Sequence, residues 1–217
     1  MTAPAPEILE IATPHGPARA HVHAVEAPRA ALVLGHGAGG GVGAPDLRAA
    51  TEAALGAGCS VALVEQPYRV AGRRSAAPAR QLDAAWLAVV DALRAGPLAG
   101  VPFVCGGRSA GARVACRTAV EAKAVAVLCL AFPLVPPQRR GATGPPPSRQ
   151  DELDGAGVPV LVVQGENDRF GMPEPDPGRE RTVVRVRGDH RLASDRAAVR
   201  TAVGGWLGAI VAASPVR

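Results

Sequence analysis

The strongest constraint on this chain is an alternation along its length. Apolar runs of strand length, "AALVLGHG", "SVALVEQPY", "FVCGG", "AVAVLCLAFPL", "VPVLVVQG" and "RTVVRVRGDH", are separated by helical patterns such as "DLRAATEAALGAG" and "QLDAAWLAVVDALRAG". In the second of these, Leu82, Trp86, Val89 and Leu93 fall on one face. Strands apolar on both faces must be covered on both, and strands joined through helices run parallel. The expected fold is therefore an α/β fold, a mostly parallel sheet with helices on both faces. Ahead of it, "EILEIATPHGPARAHVHAV" reads as an antiparallel hairpin turned at Pro14-His15-Gly16, for about eight strands in all. Asp46 is placed to cap the first helix. The prolines of "VPPQRRGATGPPPSRQDELDGAG" forbid a regular helix through most of that stretch. A chain of 217 residues suits a single domain over 1–217, with no insertion long enough for a separate cap domain.

One strand-to-helix junction stands out. In "FVCGGRSAGARVA", Ser109 lies between Gly107 and Gly111 in the pattern G-x-S-x-G, the sharp turn that lifts a nucleophilic hydroxyl above a sheet edge. Six serines in a chain with 26 glycines would match this pattern by chance about 0.09 times, so its surroundings must decide. In open α/β sheets ligands bind beyond the carboxyl ends of the strands. Those ends carry His36-Gly37-Ala38-Gly39-Gly40, then Ser109, Asp168 and His190. The order Ser, Asp, His with a glycine-rich loop upstream is that of a nucleophile, its orienting acid and its base.

The chemistry requires these types. A serine hydroxyl is a weak nucleophile until an imidazole takes its proton, and the imidazole needs a carboxylate to fix its tautomer. Three acids compete for that role. Asp189 adjoins His190 and should point to the opposite side of the chain, which leaves Asp168 as the expected acid and Glu166 as its alternative. The expected oxyanion donors are the backbone N–H of Ala110 and one from the glycine loop, Ala38 first and Gly39 second. His36 is expected to hold that loop by hydrogen bonding, and Gly37, Gly39, Gly107 and Gly111 to support it and the turn. His21 and His23 share one strand face and, without a third ligand, read as exposed strand residues.

Several other functions are disfavoured. Aromatics make up 3% of the chain, too few for a base-stacking platform. The net charge is +5, but Lys123 is the only lysine and the arginines are scattered, so no nucleic-acid stripe forms. The glycine loop lacks the Lys-Ser/Thr of a phosphate-binding P-loop. Cys59, Cys105, Cys116 and Cys129 lack metal or redox spacing and read as small buried hydrophobes. No signal-like N-terminus or membrane-length apolar run is visible, so a cytoplasmic protein is expected.

The ordered stretches "LVLGHGAGG", "QPYRVAGRR", "GGRSAGARVA", "CLAFPLVPP", "VVQGENDRFG" and "GDHRL", spanning residues 32–192, resemble the α/β-hydrolase superfamily. The resemblance is greatest to a small cap-poor branch of predicted hydrolases related to dienelactone hydrolases, the KANL/Tex-type branch. It implies a serine hydrolase, with Ser109 as nucleophile, Asp168 as acid and His190 as base. Ala110 departs from the bulkier Met often found there, which keeps the backbone donor and widens the pocket. The expected activity is esterase-like acyl hydrolysis of a small-molecule substrate with no metal, cofactor, nucleic acid or membrane partner; the oligomeric state is left open. Tyr68, Arg108 and Pro133 are expected at the pocket, beside loops rich in arginine, Arg73-Arg74 and Arg139-Arg140. The alternative is a catalytically silent binding or scaffold module on the same fold.

Overall fold

A computed structural model describes residues 5–136, 144 and 146–213. The strands are β1 (Glu7–Ile11), β2 (Ala18–His23), β3 (Ala30–Gly35), β4 (Cys59–Glu65), β5 (Phe103–Arg108), β6 (Ala126–Leu130), β7 (Val160–Gly165) and β8 (Arg181–Val186). The helices are α1 (Pro45–Gly56), α2 (Pro67–Val70), α3 (Ala79–Ala95), α4 (Ala110–Thr118), α5 (Gln150–Asp154) and α6 (Arg196–Ala213). All eight strands form one sheet in the order β1-β2-β4-β3-β5-β6-β7-β8. The hairpin joins it antiparallel through β2 and β4, and β3 to β8 are parallel.

Burial follows this arrangement. Every residue of β3, β6 and β7 is buried, because helices cover both faces there. In β2 only Ala18, Ala20 and Val22 are buried, the alternation of a half-covered strand. One core layer holds Trp86, Val89 and Leu93 of α3 with Val114 and Ala115 of α4; the other holds Leu47 and Ala50 of α1 with Val203 and Leu207 of α6. The four cysteines are buried. His21 and His23 are partly buried rather than exposed, and His21 of β2 bonds Glu65 of the neighbouring β4 at 3.1 Å.

Three local expectations need correction. Asp46 does not cap α1: Ala44 occupies that position, Pro45 opens the helix, and the Asp46 carboxylate turns inward. The strand expected through Leu134 ends at Leu130, because Ala131 turns the chain with φ 50°. Short helix α2 takes in Pro67 and Tyr68, read as the end of a strand, and short helix α5 lies in the proline-rich stretch where no regular helix was expected through most of its length. Glu152 in α5 pairs with Arg113 and Arg117 of α4, which recovers order that the prolines denied upstream.

Candidate active site

The site begins with a close approach of backbones. β5 lies beside β3, with Gly107 opposite Gly35, and α4 folds back over this pair directly from Ser109. A Cβ on Gly107 would come within 2.5 Å of the Gly35 carbonyl, and one on Gly111 would collide with the same group. Neither clash can relax through a side chain. Gly111→Ala should lower stability by about 1–3 kcal/mol, measured as a fall in the denaturant midpoint at unchanged m. Ser109 takes φ 52° and ψ −107°, a strained conformation that the packing around it enforces.

His190 arises from the far side of the sheet, on the loop after edge strand β8. Its path back is opened by Gly165 at the end of β7, where a Cβ would meet the Asp189 carbonyl at 2.5 Å and that of Gly188 at 2.7 Å. The loop thus crosses the β7 end in direct contact, and His190 Nε2 comes 3.0 Å from Ser109 Oγ. His190 Nδ1 lies 2.8 Å from Asp168 Oδ2. A carboxylate only accepts, so Nδ1 carries the proton and Nε2 is free to accept from the serine. Phe170 packs edge-on to the imidazole, with ring centres 4.5 Å apart. Glu166 and Asp189 are exposed, and Asp189 accepts from the Arg191 N–H.

Asp168 is itself held at both oxygens. Oδ1 accepts from the Phe170 N–H at 2.9 Å, and Oδ2 accepts from Gln164 Nε2 at 2.9 Å as well as from His190. Gln164 is fully buried and also donates to the carbonyls of Phe132 and Gly171. It is absent from the sequence reading, although a lone polar residue ending the apolar run "VLVVQG" was the available signal.

The glycine loop is fixed by His36 and Tyr68. Gln66 N–H donates to His36 Nε2 at 3.1 Å, and the opposite nitrogen donates to the Gly37 carbonyl at 2.8 Å, so the ring bridges the β4–α2 junction and the glycine loop as a neutral imidazole. Burial holds His36 below the usual histidine range, with Gly37 and Glu65 opposing and Arg69 adding to the effect. The unfolded chain therefore binds a proton here more readily than the folded one. Stability should be intact above the unfolded value of about 6.5 and fall as the pH drops below it. Urea midpoints between neutral and mildly acidic pH should decline for the wild type, and less steeply for His36→Gln.

Tyr68 Oη donates to the Ala38 carbonyl at 2.9 Å. Among the described residues, the N–H groups of Ala38 and Ala110 have no acceptor, and both residues are half-buried. Gly39 is exposed, and a Cβ there would meet nothing within 4 Å.

The expected pocket residues separate. Tyr68 borders a cavity of about 260 Å³ between the hairpin turn at His15 and the start of α3, with Arg73 also lining it. Pro133 is buried, and its carbonyl accepts from Arg149. Arg108 turns its guanidinium toward Asp46 and the His190 carbonyl. Arg139 and Arg140 lie outside the described residues. No group of metal-ligating side chains occurs among the described residues, and none of their helices is long and apolar enough to cross a membrane. Burial pushes the Cys105 thiol up to about 12.

A parallel sheet with an antiparallel leading hairpin, a serine on a strand-to-helix turn and no separate cap domain among the described residues define the α/β-hydrolase fold. Residues 28–206 match the family described as "Alpha/beta hydrolase domain", and the chain belongs to that family. It is similar in structure to an α/β serine hydrolase without lid from Xanthomonas campestris, at 19% identity and TM-score 0.74 over 99% of each chain. It also resembles a dienelactone hydrolase from Anabaena variabilis, at 16% identity and TM-score 0.70 over 95% of this chain and 98% of that one. Esterase 2 of Thermogutta terrifontis, solved phosphorylated by paraoxon, matches at 16% identity and TM-score 0.66 over 93% of this chain and 92% of that one. No curated protein is significantly similar in sequence.

Proposed function

We propose that this hydrolase-family chain is a serine hydrolase that cleaves small ester-type substrates through a covalent acyl-enzyme. The observation that carries this reading is the continuous hydrogen-bonded line from Ser109 Oγ through His190 to Asp168. Ser109 Oγ attacks the substrate carbonyl as its proton passes to His190 Nε2. The resulting imidazolium is stabilised by Asp168, and the oxyanion lies against the N–H groups of Ala38 and Ala110. Collapse of this adduct breaks the bond to the leaving group, which takes the proton from His190. Water then repeats the sequence on the acyl-enzyme and regenerates the serine.

The family match and the serine hydrolase and esterase named among the structural relatives support this reading. So does the burial of all four thiols, which leaves no cysteine in the nucleophile's position. The test is stoichiometric labelling by a fluorophosphonate or paraoxon. Wild type should be labelled once per chain and Ser109→Ala not at all, with turnover of p-nitrophenyl esters following the same pattern. A well-folded wild type that takes no label would instead favour the binding module.

A further inference from the structure

The proposed chemistry requires three segments to keep register: the turn with Ser109, the loop with Ala38 and the loop with His190. They leave β5, β3 and β8, and two strands separate β8 from β5. Asp168 and Ser109 hold the imidazole ring of His190, but bonds to a ring do not fix the backbone that carries it.

Arg108, immediately before Ser109, reaches that backbone. Its Nη2 donates to the His190 carbonyl at 3.1 Å, a contact between residues 82 positions apart. Its Nε lies 2.9 Å from Asp46 Oδ2, at the start of the helix that follows the Ala38 loop. Its Nη1 lies so close to Gly37 that a Cβ there would approach within 2.7 Å. Asp46 is fully buried and the Arg108 side chain is 16% exposed. A planar guanidinium can serve these directions together, as a single ammonium cannot. Burying an ion pair is also a poor means of gaining stability, because well-packed apolar residues of similar volume often do as well or better.

We propose that Arg108 is a positioning residue, which through Asp46 and the His190 carbonyl sets the spacing between the base and the oxyanion loop. This rests on the reading of His190 as the base and Ala38 as an oxyanion donor.

The test separates fold from positioning. In Arg108→Met/Asp46→Leu both buried charges are removed together, so the unfolding midpoint should stay near wild type. With p-nitrophenyl acetate, kcat should fall by about a hundred-fold, the loss expected of a reacting group misplaced by an ångström, at unchanged KM. Fluorophosphonate labelling should slow in parallel. Arg108→Lys keeps a charge opposite Asp46 but loses the fork, and should lower kcat in the same direction by a smaller factor. Wild-type kcat in the folded double variant would reduce the pair to a fold element and overturn the proposal. If the double variant does not fold, wild-type kcat in Arg108→Lys overturns it equally. Absence of label on wild type would remove the serine mechanism itself, a failure visible before any Arg108 variant is made.

Discussion

Ser109→Ala should lower kcat by about 10⁶, with His190→Ala close to it and the double variant no slower than either. The non-additivity is the informative part. In the proposed mechanism each side chain acts only through the other: Oγ cannot attack without losing its proton to Nε2, and Nε2 has no proton to take once Oγ is gone. What remains should exceed the uncatalysed rate by about 10³, supplied by the Ala38 and Ala110 donors and by substrate binding. Stability should hardly move. One hydrogen bond between half-buried groups is lost, contributing about 1 kcal/mol, and alanine inherits the same strained backbone at position 109. Steady-state kinetics with thermal melts on the three variants check this, and independent multiplicative losses would mean that the two residues do not act as a unit.

Asp168→Asn should lower kcat by about 10⁴ with KM little changed. The loss follows from the donors around this carboxylate. Oδ2 receives both the His190 Nδ1–H and Gln164 Nε2, while Oδ1 receives the Phe170 N–H. An asparagine that keeps its oxygen on the Phe170 N–H turns its amide protons against two donors. His190 then flips its proton to Nε2, the nitrogen that must accept from Ser109. Glu166→Gln is the control, since Glu166 is exposed and lies outside the hydrogen-bonded line from Ser109 through His190 to Asp168. Near-normal turnover in Asp168→Asn with loss in Glu166→Gln would reverse the assignment of the acid.

Much of the architecture was legible because it is written locally. Unbroken apolar runs such as "AALVLG" and "VLVVQ" can be satisfied only between two layers of helices, and glycines at both offsets from Ser109 suit a turn where no side chain fits. The expectation that Asp189 points away from the His190 ring needed no more than the alternation of side chains along an extended backbone, and Asp189 is exposed while Asp168 lies 2.8 Å from His190 Nδ1. Errors fell where local signals compete: Asp46 is a good cap by type, yet Ala44 is the cap and Pro45 opens the helix, two residues earlier than expected. The end of β6 was similarly overrun, because the turn at Ala131 has no glycine to mark it.

The sequence by itself determined the strands, the turn that carries Ser109 and the ordered set of polar residues at the strand ends, since each depends on spacing within a few residues. Only the tertiary structure decided how those ends meet. Gln164 holding Asp168, Gly165 yielding to the passing 188–189 backbone, and Arg108 joining Asp46 to the His190 carbonyl all span separate loops or strands. Such contacts depend on which strands become neighbours and how closely their backbones pack. That is settled by burial across the whole sheet, and no periodicity or motif along the chain encodes it.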